Sequence, residues 1–102
     1  MLWWSEPKWV SDASDVYAAR YKWYKNTLDS AYETYGLEFD YASAVQNERG
    51  ADPEWVKYLS SHLKSEKDTP YDYSKIKIVG GEEVCTWGFA DRMYEDSELM
   101  NV

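Results

Sequence analysis

The stretch VYAARYKWYKNTLDSAYETYG, from Val16 to Gly36, runs for twenty residues without proline or glycine and then ends on a glycine. No other segment constrains the fold as strongly. Ser14 stands where an N-cap is wanted, Asp15 falls in the first turn, and Gly36 sits where a helix closes with a left-handed residue. A helix over residues 15–35 is therefore predicted. On a wheel of about 100° per residue, Tyr17, Tyr21, Tyr24, Leu28, Ala31 and Tyr35 share an arc of about 80°, with Tyr32 at its edge. Val16, Ala19 and Trp23 form a second apolar strip on roughly the opposite side. A helix apolar on two sides is packed on two sides, within its own fold or against another chain.

Tyrosine dominates that face because the chain is short of aliphatic residues. Six Leu, two Ile and seven Val stand against six Trp, ten Tyr and two Phe. With 102 residues the chain is one domain, residues 1–102, long enough for a single core. That core must be partly aromatic. Tyr and Trp carry large apolar area together with an O–H or N–H that needs a partner when buried, so they suit core rims and interfaces.

The other elements follow from local signals. Residues 1–13 read as an aromatic N-terminal arm in which Trp3, Trp4 and Trp9 fold back on the body. A short helix is expected over 41–48, capped by Asp40 and ended by Gly50. The start of the next is stronger: Asp52 as N-cap, Pro53 at N1 and Glu54 at the positive end of the helix dipole predict a helix over 53–66. From Tyr73 the period changes to two, and residues 74–90 read as an antiparallel β-hairpin. A four-residue loop, Gly80 to Glu83, would collect Ile76, Ile78, Cys85, Trp87 and Phe89 on one face, whereas a shift by one residue would invert a strand. Residues 91–102 form an acidic tail. The expected fold class is α+β: a long N-terminal helix and one or two shorter helices packed on a C-terminal hairpin.

The functional signals are mostly absences. There is no Gly-rich phosphate loop, no G-x-S-x-G, no H-E-x-x-H and no paired C-x-x-C, so neither cofactor nor metal is expected. One His and one Cys allow a nucleophilic pair only as Cys85 with His62. The plainer reading makes Cys85 a small buried hydrophobe and His62 a core-edge residue bonded to a neighbour, Glu66 being one turn on. Nineteen acids offer many carboxylate pairs, and nothing in the sequence selects one. The chain is accordingly read as a non-enzyme.

Charge carries the remaining inference. Nineteen acidic against eleven basic residues leave a net charge of −8, the wrong sign for direct contact with nucleic acid or an anionic membrane. The acids fall in two blocks, residues 37–54 and 82–98, around a mildly basic stretch over 57–77. In size, acidity and aromatic content the chain resembles the DNA-mimic inhibitors that phages deploy against host restriction or immunity systems. That resemblance, in composition alone, implies a small viral inhibitor whose carboxylates occupy the basic, nucleic-acid-binding surface of a partner protein, and the single cysteine with the lack of a leader points to a cytoplasmic location. From position, the partner-binding residues are expected to be Glu38, Asp40, Glu82, Glu83, Asp91, Glu95 and Asp96. The competing expectation is a structural homo-oligomer assembled through the Tyr- and Trp-rich helix. No transmembrane run is present, and the N-terminus lacks a basic leader.

Overall fold

The computed structural model describes residues 6–44, 52–80 and 87–102. Among them the N-terminal long helix is the longest element. It spans Val16–Tyr35 (α2), one residue shorter at its start than expected, because Asp15 rather than Ser14 is the cap, accepting the Ala18 N–H at 3.1 Å. Gly36 closes it at φ 68°, a left-handed conformation that brings the Gly36 N–H to the Tyr32 carbonyl at 2.8 Å. A single turn, Lys8–Ser11 (α1), precedes it and buries Val10. Of the predicted arm, Trp9 on α1 is half exposed, while Trp3 and Trp4 lie outside the described residues.

The helix at Pro53–Ser65 (α3) forms as its start signal dictates, with Asp52 accepting the Trp55 N–H at 3.3 Å and Pro53 in the first turn. Trp55, Val56, Leu59 and Leu63 on one face are all buried. They meet Tyr21, Tyr24 and Leu28 of α2 in one continuous core that also takes in Ala42, Tyr73, Ile76, Phe89 and Leu99.

The strands differ from expectation. Tyr41–Ser43 (β1) lies in the segment read as a short helix, and Lys77–Val79 (β2) is the first arm of the expected hairpin. The two pair in parallel, Tyr41 with Lys77, Ala42 with Ile78 and Ser43 with Val79. Helix α3 and a 3₁₀ turn at Tyr73–Lys75 form the crossover between them, which a parallel pair requires and a hairpin does not. Two local readings failed for physical reasons. Asp40, expected as a helix cap, instead opens the ladder, its carbonyl accepting the Lys77 N–H at 2.9 Å. The period of two in Lys-Ile-Val was real, but periodicity names no partner, and the partner is thirty-odd residues upstream rather than across a turn.

After β2 the described residues form two further helices. Gly88–Glu95 (α4) and Ser97–Met100 (α5) occupy the second half of the expected hairpin and the expected tail. Residues 45–48 of the expected short helix and 81–86 of the hairpin lie outside the described residues. The architecture is thus mixed helix and strand, with a small two-stranded parallel sheet among the described residues and no antiparallel hairpin. Gly80 ends β2 where a side chain could not fit: a Cβ there would stand 2.5 Å from the Phe89 ring.

Leu59 has no exposed surface and lies in this core. Leu59→Ala is expected to lower the unfolding free energy by about 2–5 kcal/mol, read as a lower urea midpoint at unchanged m-value; a loss below about 1 kcal/mol would contradict the packing described.

Candidate functional site

Parallel pairing places the C-terminal ends of both strands on the same side. The Ala44 N–H donates to the Val79 carbonyl at 3.1 Å and closes the ladder there. Two aromatic donors reach the same end from the helices. The Tyr24 hydroxyl of α2 donates to the Ser43 carbonyl at 2.7 Å, and the Trp55 Nε1–H of α3 donates to the Ala44 carbonyl at 2.8 Å. Ladder, Tyr24 and Trp55 together hold the last residues of β1.

Residue 52, where the described chain resumes, is held by the same cluster. One oxygen of Asp52 caps α3, and the other accepts the Tyr17 hydroxyl at 2.5 Å. The Tyr17 and Tyr24 rings stand 5.7 and 5.5 Å from the Trp55 ring. The Arg20 guanidinium lies 5.1 Å above Trp55 and is paired with Glu6 at 2.9 Å. A cation over an indole face gains from the ring quadrupole, more so when shielded from water.

On the β2 side a cleft of about 340 Å³ opens beside the strand end, lined by Val56, Ile78, Gly80, Trp87, Phe89 and Met93 among others. Trp87 is 81% exposed. Lys57 of α3 ties that helix to the start of α5: its ammonium donates to Asp96 at 2.8 Å and meets Glu54 at 3.2 Å. Those hydrogen bonds raise the Lys57 ammonium above its usual range and hold the Asp96 carboxyl below its own, the mutual partner being the largest cause for each.

The described acids among those expected to bind a partner lie on different elements. Glu38 and Asp40 are exposed before β1, near its N-terminal end, whereas Asp91 and Glu95 are exposed on α4, beyond β2. Asp96 is committed to structure, capping α5 with one oxygen and binding Lys57 with the other. Glu82 and Glu83 lie outside the described residues. The Cys85–His62 pair also finds no support. Cys85 is outside the described residues, and His62 stacks on Tyr58 at 3.8 Å with Nδ1 2.8 Å from the Tyr58 carbonyl, which only accepts, so Nδ1 carries the proton. Glu66, expected to bond His62, instead accepts the Tyr21 hydroxyl at 2.9 Å. Among the described residues no group of three metal-ligating side chains is present, and no helix is long and apolar enough to cross a membrane.

What sequence reasoning missed is the strand end itself. With β1 read as helix, Glu48 was one more acid in a block. The signal that could have found it was the alternation of large and small residues through Phe39, Asp40, Tyr41 and Ala42, too short to separate strand from helix on periodicity alone.

Burial and the Asp52 carboxylate push the Tyr17 phenol up to about 12 from an ordinary 10.0, and burial pushes Tyr24 up to about 12. A raised folded-state value means the unfolded chain releases its proton first. Stability from these phenols is complete below pH 10 and is lost as pH rises through about 12. The expected outcome is a melting temperature that falls steeply across that window, with a shallower fall in Tyr17→Phe. Equal slopes in parent and variant would remove Tyr17 from the account.

The model of glycosyl hydrolase family 59 matches the chain over residues 1–102. No curated protein and no solved structure matches it. The family match overturns the reading of the chain as a non-enzyme, as a viral nucleic-acid-mimicking inhibitor, or as a purely structural oligomer. Composition misled because acidity and aromatic excess are properties a glycosidase can share with an inhibitor.

Proposed function

We propose, from the premise that this chain belongs to glycosyl hydrolase family 59, that its β1–α3–β2 unit supplies a catalytic carboxyl group for hydrolysis of a glycosidic bond, and that Glu48 is that group. The observation that carries the reading is the parallel pairing of β1 with β2. In folds built from parallel strands and crossover helices, catalytic side chains come from the loops that follow the C-terminal ends of the strands. Between Ala44, the last residue clamped at the end of β1, and Asp52, committed as the α3 cap, the sequence contains one carboxylate, Glu48.

Glycosidases act through two carboxyl groups flanking the scissile bond. One protonates the departing oxygen as general acid; the other serves as nucleophile or as base toward water, and its distance from the first sets the stereochemical outcome. Glu48 takes the acid role in this reading. The second carboxylate comes from another strand end, and within this chain Glu82 and Glu83 are the acids that follow β2. Arg49 is the only cation between β1 and α3 in the sequence.

The role dictates a signature. Glu48→Gln removes the proton donor while keeping shape, so hydrolysis of alkyl glycosides is expected to fall by about 10²–10⁴-fold. Nitrophenyl glycosides, whose leaving group departs without protonation, should lose far less in the bond-breaking step. Measuring both substrate classes on the polypeptide as its gene encodes it tests the assignment. Alkyl-glycoside turnover within a few-fold of the parent would remove Glu48 from the mechanism.

A further inference from the structure

The aromatic core has a connectivity that stability does not ask of it. We infer that Trp23, Tyr24, Trp55, Tyr17, Tyr58 and Tyr21 form a one-electron relay, which draws oxidation away from the Trp55 indole and settles it on Tyr17 and Tyr21, the two phenols of the array that are bonded to carboxylates. The inference does not depend on the assignment of Glu48.

Two independent features carry it. The first is continuity. Ring centroids follow one another at 6.0 Å from Trp23 to Tyr24, 5.5 Å from Tyr24 to Trp55 and 5.7 Å from Trp55 to Tyr17. A side path runs from Trp55 to Tyr58 at 5.9 Å and on to Tyr21 at 6.4 Å. These are the separations of rings in direct aromatic contact, so an electron passes between neighbours without a bridging group. Trp23 is only partly buried, whereas Trp55 is 1% exposed. An oxidant in solution therefore meets the first indole and not the second.

The second feature is the choice of proton acceptors. Tyr24 donates to the Ser43 carbonyl at 2.7 Å, a group too weakly basic to keep a proton. Tyr17 instead donates to the Asp52 carboxylate at 2.5 Å, and Tyr21 to the Glu66 carboxylate at 2.9 Å. A phenol that loses an electron becomes a strong acid and must release its proton. A carboxylate already in the hydrogen bond takes that proton with no rearrangement of heavy atoms. For stability alone a carbonyl would serve, as it does at Tyr24.

Electrons and protons balance along this path. A one-electron oxidant of the inorganic radical class, such as the azidyl radical, takes one electron from Trp23 and leaves as its anion. An electron from Tyr17 refills the hole by way of Tyr24 and Trp55, and the Tyr17 hydroxyl proton passes to Asp52. The indoles are restored, and the products are a neutral phenoxyl radical beside a neutral carboxylic acid. Tyr21 and Glu66 do the same on the side path.

The test generates azidyl radicals by pulse radiolysis of the gene-encoded polypeptide at neutral pH. Conversion of indolyl to phenoxyl radical is followed through their separate absorption bands, and peptide mass spectrometry scores oxidation at Trp55. The deciding variant combines Asp52→Asn with Glu66→Gln, because asparagine still caps α3 and both amides still accept the phenol hydrogen bond, yet neither takes a proton. The first-order phase that is independent of protein concentration is expected to slow about tenfold or more, and oxidised Trp55 to rise several-fold. Tyr17→Phe combined with Tyr21→Phe should do the same. Tyr94→Phe, which removes a phenol 92% exposed on α4, should leave both readouts at the parental level. Where a double variant fails to fold, its single variants decide, with half the array intact. Parental conversion and parental Trp55 oxidation in the folded amide variant overturn the inference, as does a slowing by Tyr94→Phe equal to that of the phenol pair.

Discussion

The interaction on which the rest depends is the burial of Trp55 among the rings of α2. Tyr17 and Tyr24 of α2 stand 5.7 and 5.5 Å from its indole, Tyr58 of α3 itself stacks on it at 5.9 Å, and Arg20 lies over it. Each tilted or edge-on aromatic pair adds about 0.5–1.5 kcal/mol beyond the area it buries. A leucine at residue 55 could replace part of that packing, but it could not satisfy the Ala44 carbonyl. Through one side chain the helix pair is coupled to the end of the sheet, and the parallel unit acquires a defined relation to the helices that carry it.

The same chemistry explains the coexistence of so many phenols with so many acids. Tyr17 donates to Asp52, Tyr21 to Glu66 and Tyr73 to Asp29, which also receives the Lys25 ammonium at 2.8 Å. Burial followed by these carboxylates raises Tyr21 and Tyr73 above the ordinary phenol range. Acids that look like surface charge in the sequence are thus acceptors at the rim of an aromatic core. A net charge of −8 consequently overstates the free acidic surface. This is the physical reason a charge-led reading pointed toward a basic partner.

Membership in a glycosidase family changes which acids matter. The chemistry needs a carboxyl group held in a defined place relative to a second one, and the end of a parallel strand is where we propose that place to be. Glu38 and Asp40 lie before β1, and Asp96 is bound by Lys57. Glu48 is separated from the clamped Ala44 by three residues of sequence.

Elements whose signals are local were legible in the sequence. The α2 and α3 helices follow from Asp15, Gly36, Asp52 and Pro53, because capping and φ preferences act within a few residues and do not depend on what lies across the molecule. The burial of the Tyr21, Tyr24 and Leu28 face of α2 was legible for the same reason, as was the need of tyrosine hydroxyls for polar partners. Tertiary structure alone decided that Lys77–Val79 pairs with Tyr41–Ser43 and not with the residues after Gly80, because strand pairing is a contact across sequence distance that period-two alternation leaves open. With that pairing unknown, no strand end could be located, and so Glu48, which we propose as the general acid, could not be singled out among nineteen acids.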